Sequence, residues 1–333
     1  MNEIEIPYYE DKTRISNSNI GWFLNKGPAF LHKMLTEDVE DESTAALKRG
    51  TMIHEYILQP EEFQKHYVVW DKSRPSSAQQ EAFCQALVDS IEIEPNRAVL
   101  SAYKSAYSTR GKTDEVMLSE GLKIVSTLPE YIEFLKSKDE RILISNWDVK
   151  MLEKIKQNIK SHKLAHSLIQ HGGIVDLSKD KEHKYDVFHE YHINWEWCEV
   201  KCKSLLDCVA FDYDNKRCII TDLKTTQKLW NFEESVKQYD YCRQLAYYTM
   251  AAMWFIDNVI NDHSQWTFEW YIIGIDTTGT YDIRVFKFDE HMLDYSYDVI
   301  HKALVDIKWH DTHNLWQHSR DYYQGDGSEK LNL

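Results

Sequence analysis

The 333-residue chain has no apolar run of eighteen residues, so it offers no candidate for a membrane-spanning helix. Its opening, MNEIEIPYYEDK, lacks the basic and apolar regions of a secretory signal, and the expected location is the cytoplasm. Cysteine is scarce. Cys84, Cys198, Cys202, Cys208, Cys218 and Cys242 include no CxxC pair, form no disulfide scaffold and match no iron–sulfur spacing; several sit in strand-like runs where a buried thiol is expected. Glycine is scarce too, with 11 residues, none in a P-loop or dinucleotide spacing, which argues against ATP-driven unwinding. No second histidine follows four residues after His54, so His54-Glu55 is no zinc-protease motif. Positive charge is in deficit: 39 basic against 54 acidic side chains give a net charge of -15, which excludes coating nucleic acid by charge alone. An enzyme acting on nucleic acid remains compatible, because divalent cations and local lysine clusters can reverse the field where substrate sits.

What is present is a 43% hydrophobic, 28% charged composition, enough for a real core in one domain spanning 1–333. SNSNIGWFLNKGPAFLHKML reads as two short helices broken at Gly27-Pro28 after a serine-rich cap. STAALKRGTMIHEYILQPEEF reads as a helix limited by Pro60 and displaying His54, with HYVVW (66–70) a short strand after it. Residues 72–141 are polar and helical, an insertion candidate. Within it Tyr103 and Tyr107, four apart beside Lys104, Arg110 and Lys112, read as helix packing ahead of a DNA surface. Ser145-Asn146-Trp147-Asp148 starts a helix whose Lys150, Lys154, Lys156, Lys160 and Lys163 face one acid, Glu153. His162, His166 and His171 fit a solvent-facing helix. The clearest β region is HEYHINWEW (189–197), EVKCKSLLDCVAF (199–211) and CIITDLKTTQ (218–227), a three-strand meander with a turn at DYDNK. Glu190, in HEYHINW, reads as a solvated strand residue ahead of a further acid near a metal. A long helix, the strands WTFEWYIIGI and YDIRVFKF, a final helix and a polar, frayed tail (315–333) complete the chain.

CIITDLKTTQ raises the chemical question. Strand alternation puts Cys218, Ile220, Asp222 and Lys224 on one face, so a carboxylate and an ammonium project where apolar side chains should continue. Taken alone, that is a strand-end ion pair of little consequence. But Asp207 ends SLLD on the neighbouring strand, and two converging carboxylates imply a shared proton or a cation of the Mg²⁺ or Mn²⁺ type, with Lys224 placed against a phosphate or the water that attacks it.

Asp207 followed by Asp222-Leu223-Lys224 resembles the D…(D/E)-x-K signature of the PD-(D/E)xK nuclease superfamily. Gln244 and Tyr248 in QLAYY are similar to the Q-xxx-Y motif of RecB-like nucleases, and Gly50 to His54 in RGTMIHEYI resembles their upstream G-xxx-H segment. The order of these motifs, with SNSNIGWFLNKGPAF and ILQPEEF, is most similar to the RecE-type, exonuclease VIII-like branch often carried by phages. The likeness spans the first seventy residues and 145–290. It departs at Leu206, where relatives have proline, at Asp222, where many have glutamate, and in lacking the four-cysteine cluster of other branches. The resemblance implies an α/β fold (mixed α+β), a central mixed sheet flanked by helices as in restriction endonucleases. It implies metal ligation by His54, Asp207, Asp222 and the Leu223 carbonyl, with two Mg²⁺ or Mn²⁺ ions, and catalytic roles for Asp207, Asp222, Lys224, Gln244 and Tyr248. Expected DNA contacts are Lys203, Thr225, Lys228, Lys154 and Lys156. The implied activity is exonucleolytic degradation of one strand of duplex DNA from its end, 5′ to 3′, in recombination or repair, by a ring-forming homo-oligomer working with a single-strand annealing protein. A structure-specific or single-strand DNA endonuclease of the same fold and an inactive DNA-binding scaffold are the alternatives; the intact charged set speaks against the scaffold.

Overall fold

Helix starts in this chain are set by local hydrogen bonds. Ser16 and Asn19 satisfy each other's backbone N–H groups and open α1 (Asn17–Lys26). Gly27 ends it at φ 84°, and Pro28 begins α2 (Pro28–Thr36) at the position where a missing N–H is harmless. Thr44 caps α3 (Ala45–Leu58). The computed structural model describes residues 6–38, 44–91, 94–174 and 183–329, and these divide into two compact units, Met1–Pro60 with Met151–Leu333, and Glu61–Lys150.

In the second unit, α4 (Pro60–His66) leads into β1 (Tyr67–Val69), followed by α5 (Ala78–Val88), α6 (Pro95–Ala106), α7 (Asp114–Thr127), α8 (Pro129–Lys136) and β2 (Ile142–Ile144), which pairs parallel to β1. Phe83, Val99, Met117 and Ile132 form its core. Tyr103 is 3% exposed and stacks on Tyr107 at 4.8 Å, so this pair packs inward.

The second unit closes with the first turn of α9 (Asn146–Ser161), capped by the reciprocal Ser145–Asp148 bonds, and the first unit resumes within that helix and continues with α10 (Lys163–His171). Then come β3 (Tyr185–Trp197), β4 (Val200–Asp212), β5 (Arg217–Thr226), α11 (Phe232–Tyr239), α12 (Tyr241–Phe255), β6 (Thr267–Asp276), β7 (Ile283–Phe288), α13 (Asp294–His313) and α14 (Arg320–Gln324). The five strands lie in the order β3-β4-β5-β6-β7, antiparallel except for β5 and β6. A parallel pair needs a long crossover, and α11 with α12 provides it. The sheet is therefore mixed and flanked by helices. On one face Phe211 and Ile220 pack with Tyr247 and Ala251 of α12 and with Leu304 of α13. On the other, the Cys208 thiol donates to the Leu168 carbonyl of α10 at 3.5 Å. Among the described residues, no helix is long and apolar enough to cross a membrane.

The polar end segment is held where fraying was expected. Trp316 is 7% exposed and stacks on His310 at 5.4 Å and on His32 at 5.0 Å, and Arg320 pairs with Asp306 at 3.3 Å. One buried indole outweighs the polar composition around it.

Gly172 ends α10 at φ 57°, and a Cβ there would stand 2.1 Å from the Ala210 Cβ of β4. Gly172→Ala should cost about 2–4 kcal/mol in urea unfolding, because a left-handed backbone and a filled contact are both penalised.

Candidate active site

The site forms where β4 and β5 part. Their ladder runs from Asp212↔Arg217 to Cys208↔Thr221 and ends. One step beyond, Asp207 and Asp222 occupy opposing positions, and the Asp207 carboxylate accepts the Leu223 N–H at 2.7 Å where a strand partner would have been. β5 stays aligned through its parallel ladder with β6, which continues to Thr226↔Asp276. A side chain has thus replaced a backbone bond, and the strands open around two carboxylates.

His54 arrives from α3. A Cβ on Gly50 would lie 3.3 Å from Thr225 Oγ1, so the absence of one lets this helix come close to β5. His54 follows four residues later on the same helical side. Its Nδ1 is 3.6 Å from Asp207 Oδ2 and 3.8 Å from Glu190 Oε1. Ligand atoms of His54, Glu190 and Asp207 all lie within 4.8 Å of one another. Two carboxylates and an imidazole form a hard donor set that fits Mg²⁺ or Mn²⁺.

Asp222 is 1% exposed and engaged on two sides. Lys224 Nζ is 2.6 Å from its Oδ2, and Gln244 Nε2 donates to its Oδ1 at 3.0 Å. The same Gln244 nitrogen donates to the Tyr248 hydroxyl at 2.8 Å. Gln244 and Tyr248 stand four apart on α12, one turn above the other, which is why both reach this point.

Electrostatics follow from burial. Desolvation pushes Asp207 above the ordinary carboxylate range; His54 and Lys224 oppose it, and Glu190 adds to it. Asp222 is pushed up to about 6, first by burial, against the pull of Lys224 and with the help of Asp207. Burial alone would lower His54, but Asp207 and Glu190 outweigh it and the imidazole is raised. Lys224 likewise ends above its ordinary value: burial is outweighed by Asp222 and Asp207, so the ammonium stays charged. Burial holds Tyr248 well above the usual phenol range and keeps its hydroxyl protonated. Carboxylates crowded out of water with two cations beside them are an arrangement that a divalent ion relieves.

The family model described as "PDDEXK-like domain of unknown function (DUF3799)" matches residues 16–320. The chain belongs to this family. No curated protein matches it in sequence. A solved structure from Eubacterium rectale titled "Putative exonuclease" aligns over 100% of this chain and 96% of that one, at 13% identity and a TM-score of 0.48. That likeness is too distant to bear on the assignment of residues.

In this PDDEXK-like chain the structure brings together His54, Asp207, Asp222, Lys224, Gln244 and Tyr248, while Leu223 contributes its amide to Asp207. The expected DNA contacts fare differently. Lys203 is 6% exposed and turned inward, its ammonium donating to the Tyr8 and Asp11 carbonyls at 2.5 Å each, so it offers no charge to a phosphate. Thr225 faces Gly50, Lys228 pairs with Glu234 at 3.1 Å, Lys156 lies 5.1 Å over the Tyr56 ring, and Lys154 is exposed.

Glu190 is the functional candidate that strand alternation misplaces. Its φ is 47°, a left-handed backbone in the middle of β3. The dislocation shows in its neighbours: Phe188 and Tyr191, three apart, stack at 4.3 Å, although a regular strand would send them to opposite faces. Glu190 lies between the pairs His189↔Cys208 and Tyr191↔Leu206, opposite Asp207. A charged residue between two aromatic-rich half-strands was the one available signal.

Such strain is costly for a residue with a Cβ and persists at sites that use it. Glu190→Gly should melt within about 1 kcal/mol of the parent in chelator, since glycine accepts this backbone. It should lose most of the rise in melting temperature that millimolar Mn²⁺ gives the parent. Equal Mn²⁺ stabilisation of both proteins in thermal melts would remove Glu190 from the ligand set.

Proposed function

We propose that the chain is a divalent-metal-dependent deoxyribonuclease that degrades one strand of linear duplex DNA from its end. The observation carrying this reading is the His54–Glu190–Asp207 donor group adjoining the buried Asp222–Lys224 pair, in a chain of PDDEXK-like family. When bound there, a hard divalent ion would supply an activated water and offset charge on the phosphate. His54, Glu190 and Asp207 would hold it, with Asp222 at the adjoining edge. Lys224, fixed by Asp222, brings a permanent positive charge to the phosphate oxygens as negative charge builds on them. Gln244 holds one Asp222 oxygen and leaves the other to Lys224, so the ammonium is already oriented before substrate arrives.

The finer reading rests on a motif order that resembles that of RecE-type exonucleases. It makes the direction 5′ to 3′ and the role recombination or repair. It also makes the active form a ring of copies that keeps the uncut strand threaded, and the partner a single-strand annealing protein.

Two measurements test this. With Mg²⁺, linear duplex should disappear while closed circles persist, and 5′ end label should be released as mononucleotides. Rapid loss of closed circles would convert the reading to an endonuclease, and release of label from 3′ ends alone would reverse the direction.

Lys224→Ala should retain fold and DNA affinity within a few-fold while turnover falls at least about a hundredfold, the effect of removing about 3 kcal/mol of charge stabilisation from the transition state. A variant digesting linear duplex near the parent rate would reduce Lys224 to a strand-end ion pair.

A further inference from the structure

A column of aromatic rings passes Lys224 on its way from the core to solvent. Phe286 of β7 stacks on Phe232 at 4.3 Å between centroids, Phe232 lies 5.8 Å from Tyr241, and Tyr241 stacks on Tyr239 at 5.8 Å with 24° between ring planes. Phe286 is half-buried, and from Phe232 outward exposure rises from 2% to 8% at Tyr241 and 57% at Tyr239. The Lys224 ammonium stands 5.3 Å over the Tyr241 ring. The open end of the column is therefore one ring removed from that ammonium.

Helix geometry does not produce the outer stack. Residues two apart on an α-helix point about 200° from one another and do not meet. Asp240 breaks the helix between them at φ 51° and ψ 54°, ending α11 and capping α12. That backbone is unfavourable for a residue with a Cβ, and its surroundings enforce it. Arg243 donates from Nε to Asp240 Oδ2 at 2.8 Å and from a terminal nitrogen to the Asn17 carbonyl at 2.7 Å. The guanidinium fits against Gly21, where a Cβ would come within 3.1 Å of it. A buried arginine, a glycine and a left-handed aspartate together hold an exposed tyrosine parallel to the ring beside Lys224, and strain of this kind collects at ligand-contacting positions.

We propose that Tyr239 is a stacking platform for a nucleobase of the strand being cut, the base flanking the phosphate presented to Lys224. This rests on the nuclease reading above. A nucleotide carries an anion and a flat π face, and the site offers an ammonium and, one ring beyond it, an exposed aromatic face. Stacking also suits a chain with a net charge of -15, because it adds affinity for a DNA end without requiring a basic surface. Every base has a π face, so the contact grips without reading sequence. The base must leave its own stack to reach the ring, which makes Tyr239 a receiver of frayed ends.

The test uses the full chain and a blunt linear duplex with 2-aminopurine at its terminal nucleotides, with Ca²⁺ in place of Mg²⁺ so that binding is read without turnover. Binding by the parent should change the 2-aminopurine fluorescence. Tyr239→Ala should abolish that change and weaken binding about tenfold, and Tyr239→Phe should keep both, since the ring and not the hydroxyl makes the contact. With Mg²⁺, Tyr239→Ala should raise KM about tenfold and move kcat by less than about threefold. A Tyr239→Ala protein with the parent's fluorescence change, affinity and KM would overturn the platform. A parent that shows the fluorescence change but hydrolyses no DNA with Mg²⁺ or Mn²⁺ would support the platform and count against the nuclease reading alone.

Discussion

Charge kept out of water at one point of the sheet is the constraint on which this structure turns. Asp207 and Asp222 are 7% and 1% exposed, and Glu190 stands beside them with 13% of its side chain open. Burying ionised carboxylates is expensive unless each finds a partner, and crowding them adds repulsion. Every neighbouring element answers one part of that problem. The Leu223 amide supports Asp207, Lys224 and Gln244 support Asp222, and α3 brings His54 through the gap that Gly50 leaves. The parting of β4 from β5 makes room for these groups, and the parallel β5–β6 ladder keeps the opened strand straight.

Two strained backbones frame this point. Glu190 is left-handed inside a strand, and Asp240 is left-handed between two helices. Neither is glycine, so each conformation draws on stability earned in the core, where Trp195, Phe211 and Tyr247 are almost fully buried. The first dislocation brings a third carboxylate to Asp207. The second sets the aromatic column beside Lys224. Strain is thus placed where a regular element would have turned the needed side chain away.

The acidic balance of the chain is consistent with this local design. Lys203, a promising phosphate contact by position, is consumed in tying the Tyr8–Asp11 segment to β4. Its stem is buried, and the two backbone carbonyls it binds give that segment its anchor. Positive charge at the site itself comes from Lys224 and His54, which stand against Asp222 and Asp207.

Much of this was legible in sequence because it depends on periods and short spacings. Alternation placed Asp222 and Lys224 on one strand face, a four-residue step placed Gln244 with Tyr248, family resemblance pointed to Gly50 and His54, and caps announced α1 and α9. Motif order carried the mixed sheet flanked by helices. Tertiary structure alone decided what those rules cannot encode. A left-handed residue resets the alternation, so Glu190 read as solvated is found at the donor group; a backbone carbonyl pair takes Lys203 inward; and one indole, Trp316, pins a tail whose composition is polar. Sequence period assumes an unbroken element and an average environment. Where φ changes sign or a long-range partner captures a side chain, only the folded contacts determine which way it faces.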